Sequence, residues 1–388
     1  MKNNILFLIL GLSLIIFWAA MACAPAAPLK ATPSPATSPP TPAIIEAAPL
    51  ISPAVSPEDA KWQKIEAAAR GEGKLTVYSY NLVGDIGLAV SRAFDGRYGI
   101  KMEIITGLGA GMIERLKAEK RAGQIEGDTY DSSAVNLQSL KAEGLAASVY
   151  DDLPVLKQRG VWHVEPDAGD PQDRLFMSFK ITYTDPVINT KLVKPPDEPK
   201  SFQDFLAPKW KGKMSISDPL TQPAAYSLVV PLLEEGIITE EWVKKLGTQE
   251  LRFFRSVPDE LGALSRGEHS LGIRGVDSQT SRFVFDGAPL KHIAMKEGSL
   301  VTLNGIAAIR GSPHPNAARI FLNWFFTQEG QQVFGRAMGI SALRKDVPDY
   351  RPEAVKVVPT KLIVSTPEQD LKASVLMRER WLPKLWER

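Results

Sequence analysis

Cysteine is almost missing from this chain of 388 residues: Cys23 stands alone. A single thiol closes no intrachain disulfide and builds no Cys-based zinc finger or multi-cysteine iron–sulfur site. Histidine is nearly as scarce, and His163, His269, His292 and His314 lie without metal-ligand spacing. Charge of one sign does not accumulate either: 46 Lys and Arg face 44 Asp and Glu, a net of +2. Nucleic acid requires a concentrated basic surface, so that balance argues against it as a partner. The catalytic signatures HExxH, GxSxG and the P-loop Gly-Lys-Ser/Thr are absent. Gly107-Leu108-Gly109-Ala110-Gly111 echoes a dinucleotide turn. Its third Gly comes one position early, and no clear second strand ends in an acid about 20 residues on. Without a nucleophile–base pair the chain reads as a binder and not an enzyme, with no cofactor and no metal site.

What is present begins at the N-terminus. Lys2 precedes an apolar run from Ile5 to Ala22, the pattern of a secretory signal. The run ends in Ala19-Ala20-Met21-Ala22, directly before Cys23. This resembles the bacterial lipoprotein signal, which implies that residues 1–22 are removed and Cys23 carries lipid. Alternatively the run stays as an uncleaved membrane helix, since its 18 residues nearly span a bilayer. Either way the rest of the chain lies outside the cytoplasm, tethered to a membrane in the bacterial cell envelope. Residues 24–58 hold ten prolines in 35 positions, with Lys30, Glu46 and Glu58 the only charges. Such composition builds neither sheet nor long helix. Residues 23–60 therefore read as a lipidated Cys followed by a disordered tether.

The rest has the 44% hydrophobic and 23% charged content of a globular protein, and length enough for two or three domains. Lys61–Arg70 has a helical pattern, and Lys74–Tyr80, Lys101–Ile105 and Thr129–Ala134 read as strands. Helical patterns at 86–97, 112–122 and 137–144 alternate with them, which gives an α/β sheet with crossover helices. In open α/β sheets ligands sit beyond the carboxyl ends of strands. Those ends are Ser79-Tyr80-Asn81, Thr106–Gly111 and Asp131–Asn136. The last two lead into helix N-termini, where free N–H groups attract anions. A second αβ region has strands at 213–217, 251–254 and 271–275, and helices at 224–235 and 257–266. A strand at 300–309 and a long helix follow.

Three segments carry a family resemblance: Glu72-Gly73-Lys74-Leu75-Thr76-Val77-Tyr78-Ser79, Pro208-Lys209-Trp210-Lys211-Gly212-Lys213 with Asp218-Pro219, and Gly311-Ser312-Pro313-His314-Pro315-Asn316-Ala317-Ala318 with Phe321 and Glu329-Gly330-Gln331. With them, residues 62–350 resemble the bacterial extracellular solute-binding proteins of ABC transporters, in the group of ferric-iron and thiamine binders. The last segment reads as scaffold: Pro315 suits a first helical turn, and Ala317, Ile320, Phe321, Trp324 and Phe325 share one apolar face.

The resemblance implies a type 2 periplasmic-binding-protein-like fold, two αβ lobes joined by two crossing strands with ligand in the cleft. The crossings are expected near 177–188 and 300–309. Lobe 1 is then discontinuous, 61–180 plus 300–388, and lobe 2 is 181–299. Trp381 and Trp386 are expected to anchor a terminal helix on lobe 1. The implied function is capture of a small solute by a monomer and delivery to an ABC permease. An extracellular ligand-sensing lipoprotein without a transport role is the alternative class.

Strand-end placement and the resemblance together give the expected cleft residues. Lobe 1 offers Tyr80, Asn81, Thr106, Gly109, Ala110, Ser133 and Asn136. Lobe 2 offers Asp218, Thr221, Tyr226, Arg274 and Asp277. The resembled iron binders hold metal with adjacent tyrosines after a lobe-2 strand, and here Arg274-Gly275-Val276-Asp277-Ser278 follows instead. Arg274 offers a donor fork for a carboxylate or phosphate, so a small organic anion is expected. Ferric iron on Tyr80 and Tyr226 stays open, as does a plain pairing of Arg274 with Asp277 or another surface carboxylate.

Overall fold

The computed structural model describes residues 57–218 and 228–376, together with Glu379. Cys23, Thr221, Tyr226, Trp381 and Trp386, the N-terminal signal and tether, and the first part of the helix expected at 224–235 lie outside the described residues. In chain order the first elements are α1 (Pro57–Glu72), β1 (Lys74–Ser79), α2 (Gly84–Tyr98), β2 (Lys101–Thr106), α3 (Gly109–Ala122), β3 (Thr129–Ser133), α4 (Ala134–Ala142) and β4 (Ala146–Ala147). Then come β5 (Met177–Tyr183), β6 (Val187–Asn189), β7 (Met214–Ser217), α5 (Val229–Glu234), α6 (Glu240–Gly247), β8 (Arg252–Phe254), α7 (Val257–Arg266), β9 (Leu271–Gly272), α8 (Asp277–Phe285) and β10 (Leu290–His292). The chain closes with β11 (Ser299–Ile309), α9 (Pro315–Phe325), α10 (Gln328–Met338), β12 (Leu362–Ser365) and α11 (Pro367–Leu376).

Two sheets result. The first runs β12–β11–β3–β1–β2, with β4 and β5 also paired to β11. The second runs β10–β6–β9–β7–β8. Both are mixed. β1 is parallel to β2 and β3, whereas β11 is antiparallel to β3 and β5. The first passage between sheets is the short stretch 184–186, between β5 and β6. The return is 293–298, because β11 lies in the first sheet along its whole length. That is a few residues ahead of the expected 300–309.

Each sheet has its own core. Phe94, Phe321, Trp324, Phe325 and Phe334 sit in the first, fully buried. Phe205, Ile216, Trp242, Val243 and Leu271 sit in the second. Burying each such side chain stabilises by roughly 1.5–3 kcal/mol, so each lobe carries its own source of stability.

Residues 311–331 show why that segment has its sequence. Asp128 accepts from the His314 N–H at 2.9 Å and the Ser312 Oγ at 2.6 Å. Glu72 accepts from the Ala317 N–H at 2.7 Å and the Asn316 Nδ2 at 2.7 Å. Two carboxylates thus satisfy the free N–H groups where α9 begins. Thr327 caps α10 by accepting from the Gly330 N–H at 3.1 Å. Gly330 faces the end of α9 so closely that a Cβ would lie 2.2 Å from the Trp324 carbonyl oxygen. The helix pair is scaffold, as expected.

Gly330→Ala is therefore expected to lower stability by about 2 kcal/mol, the cost of overpacking against backbone. Urea titration should show a lower midpoint with an unchanged slope. A variant as stable as the parent would mean that the α9–α10 junction gives way freely.

Candidate functional site

Several strand ends of the first sheet converge on a polar layer. Asp131, in the middle of β3, is 1% exposed. Its Oδ1 accepts from the Asn81 N–H at 3.0 Å and the Asn81 Nδ2 at 2.7 Å. Asn81 follows β1 and is held there because the Tyr80 N–H donates to the Asp131 carbonyl at 3.1 Å. From Asn81 the network passes to Asn304 of β11, and the Asn304 Nδ2 donates to the Thr182 Oγ1 of β5 at 3.2 Å. Asn304 sits in register with Lys180 of β5, next to an irregularity of the pairing at Asn304/Gly305.

Lys180 is the centre of the arrangement. It is 4% exposed, and among the described residues no hydrogen bond or ion pair is made by its ammonium. Burial holds its pKa below the usual lysine range, opposed by the fields of Asp277 and Asp131. Asp131 belongs to the first sheet. Asp277 begins α8, against the second sheet, and is fully buried with Oδ2 unpartnered. An ammonium on β5 thus feels one carboxylate of the first sheet and one beside the second, and among the described residues it forms an ion pair with neither. Lone buried charges are costly unless an ion or hydrogen-bonding partner completes them.

The other expected residues are distributed around this centre. Tyr80 is 47% exposed, and Thr106 and Ala110 are exposed. Ser133 and Asn136 are joined, with the Asn136 Nδ2 donating to the Ser133 Oγ at 3.1 Å and the Ser132 Oγ at 2.9 Å. That amide lies over Gly109, where a Cβ would meet Asn136 Nδ2 at 1.8 Å. The Gly109 carbonyl accepts from the Tyr130 hydroxyl at 3.0 Å. Gly109 is thus buried beneath Asn136, and its lack of a side chain serves that close approach.

Among the expected lobe-2 residues, Asp218 is half-buried, with its N–H donating to the Phe254 carbonyl at 2.6 Å. Arg274 is 5% exposed. Burial lowers its pKa to about 10, opposed by Asp370 and Glu260. Its field partners are therefore those two carboxylates, whereas Asp277 answers to Lys180 and Arg351. The simple Arg274–Asp277 pair is not what forms, because the two face different neighbours. Sequence reasoning passed over Lys180, Thr182 and Asn304, and took Asp131 only as the start of a strand end. The available signal was a single charge inside the otherwise uncharged strand Met177–Tyr183. Among the described residues, no group of three or more His, Cys, Asp or Glu is placed to hold a metal ion.

Burial pushes three carboxyls of this region up: Asp131 to about 6, Asp185 to about 7 and Glu260 to about 7. Their folded pKa values exceed the unfolded ones near 4, so the folded state binds more protons in between. Stability should be highest at the acid end of that window and fall as pH rises from about 4.5 to 7.5. A two-unit shift corresponds to about 3 kcal/mol. Urea midpoints across that range check this, and Asp185→Asn should flatten the slope. A slope unchanged by that substitution would remove Asp185 from the account.

Comparison with known proteins bears on the family and the fold. Residues 89–360 match the family model of the bacterial extracellular solute-binding proteins. An uncharacterized protein of Haemophilus influenzae is 23% identical over 279 residues, covering 69% of this chain and 77% of its own. The crystal structure of iron-bound HitA from Pseudomonas aeruginosa is similar at a TM-score of 0.64 and 21% identity, covering 79% of this chain and 98% of its own. AfuA from Actinobacillus pleuropneumoniae, with fructose-6-phosphate bound, is similar at a TM-score of 0.61 and 18% identity, covering 80% of this chain and 98% of its own. With two sheets, two passages between them and a polar seam at the strand ends, the chain belongs to the bacterial extracellular solute-binding protein family.

Proposed function

We propose that this solute-binding component of an ABC importer captures a small organic anion between its lobes, 61–180 plus 300–388 and 181–299. The observation that carries the reading is Lys180: a buried ammonium without a contact partner among the described residues, in the fields of Asp131 from the first sheet and Asp277 beside the second. An anionic group entering there gains a charge-assisted partner that the fold withholds. Arg274 supplies a second buried cation on the second-lobe side. The solute then passes to a permease in the membrane. The chain acts as a monomer, held at the cell surface by lipid on Cys23 with the residues from 24 up to the start of α1 at Pro57 as spacer, so the tether ends a few residues before the expected 60.

Ferric iron is the second reading, favoured by the likeness to iron-bound HitA. Against it stands the chemistry of the seam. Fe³⁺ is a hard cation that requires anionic oxygens, and Lys180 and Arg274 repel it. Calorimetry against citrate, phosphate, fructose-6-phosphate and Fe³⁺-citrate separates the two. Organic anions are expected to bind, and Lys180→Met should weaken them at least tenfold without lowering thermal stability, because it removes a poorly compensated buried charge. Loss of binding that merely follows unfolding would reduce Lys180 to a structural role. A tight, coloured Fe³⁺ complex that survives Arg274→Ala would overturn the anion reading.

The anchor is tested separately. Cys23→Ser should release the protein from the membrane fraction or leave the signal attached. Mass spectrometry that finds Met1–Ala22 on the native chain would reject the lipoprotein.

A further inference from the structure

The family match ends at residue 360, and the chain then does something the two-passage plan does not require. The Thr360 hydroxyl reaches the Lys296 carbonyl at 3.3 Å, and the Lys361 carbonyl accepts from the Ser299 N–H at 2.9 Å. Both contacts lie on or beside the return passage 293–298. β12 then adds to the edge of the first sheet, with Leu362–Ser365 parallel to Ser299–Thr302 of β11. Within two residues α11 begins, and it packs against α4 of the first lobe and α5 of the second. Ile363 of β12 and Ala373 of α11 are buried in the second-sheet core.

Polar contacts tie the same segment to the second lobe. Glu234, at the end of α5, accepts from the Gln369 Nε2 at 2.6 Å and the Lys372 Nζ at 2.5 Å. Lys361 pairs with Glu235 at 2.7 Å. Asp370 accepts from the Ser365 Oγ at 2.6 Å, and its carboxylate is the largest favourable field on the buried Arg274. One short segment therefore has a strand in one lobe, a helix against both, and a carboxylate near a candidate cleft cation.

We propose that residues 361–376 form a strap that ties the two lobes together beside the return passage and must release from the second lobe for the cleft to open. The magnitudes suit a latch. Exposed ion pairs such as Lys372–Glu234 and Lys361–Glu235 are individually weak, and the buried side chains among the described residues of α11, Pro367 and Ala373, are both small. Such a strap biases the lobes toward closure and still lets go on the time scale of binding. The strap does not depend on which solute the cleft takes.

The test uses the full chain without ligand. Spin labels at Arg92→Cys on α2 and Lys245→Cys on α6 report the distance between lobes, and hydrogen exchange reports the state of α11. Two variants release the strap by different routes: Glu234→Ala/Lys372→Ala removes the surface pairing, and Ala373→Asp places a charge where the helix enters the second core. The expected result is at least tenfold faster exchange of the 367–376 amides together with a new, longer interspin component. Arg266→Ala, which breaks an exposed pair with Glu268 elsewhere in the second lobe, should change neither. A loosened α11 with an unchanged distance distribution would overturn the strap, as would full protection of α11 in Ala373→Asp.

Discussion

A buried ammonium without a contact partner among the described residues is the constraint around which the seam is organised. Lys180 sits there because β5 pairs with β11 in the first sheet and the chain reaches the second within three residues, 184–186. A side chain on that strand cannot escape to solvent as a surface lysine does. Asp131 and Asp277 provide opposing charge from either side, yet neither closes an ion pair with it. Continuum reasoning makes isolated buried charge expensive by several kcal/mol. A fold selected for stability alone would place an apolar residue here. Retaining the charge makes sense where a ligand completes it, which is the ordinary trade between stability and function at binding sites.

The same logic explains how polarity is distributed. The two largest hydrophobic cores are distinct, one mainly under each sheet, with Leu300 of β11 and Ile363 of β12 reaching into the second. Between them lies a layer of Asn81, Asp131, Thr182, Asn304 and Asp277, linked in part and with Asp131 Oδ2 and Asp277 Oδ2 left unpartnered. An apolar seam would weld the lobes into one body, because parting it exposes area at about 25 cal/mol per Å². A polar seam exchanges its hydrogen bonds for water at small net cost. Separate cores with a polar joint therefore allow hinge motion, and a ligand that touches both sides shifts the population toward closure.

Much of the fold was legible locally. α7 runs over the expected residues, with Ser256 capping its start and Gly267 in the left-handed region at its end. β1, β2 and β3 lie within a residue of their expected bounds, because alternating apolar runs between caps and glycines are local signals. The sequence does not reveal what depends on pairing. The antiparallel placement of β11, its irregularity at Asn304/Gly305 and the burial of Lys180 follow from which strands lie side by side. No local rule says that Asn136 packs over Gly109, so that close approach is invisible in the sequence. Arg274 was recognisable as a donor, but its field partners Glu260 and Asp370 come from 14 residues before it and 96 after it.

Asp370 also shows why the C-terminal segment escapes a reading by family or by period. β12 is four residues long, and its burial alternates only over half-buried and buried positions. α11 lacks a strongly apolar face, since it rests against two surfaces instead of one core. An element that bridges two bodies is selected to hold each of them weakly, so its sequence carries a weak version of each signal. Strong amphipathic patterning would fix α11 to one lobe and leave the hinge without a restraint. Weak patterning, a few exposed ion pairs and one carboxylate near Arg274 leave the energy difference between closed and open within about the few kcal/mol that differential ligand binding supplies.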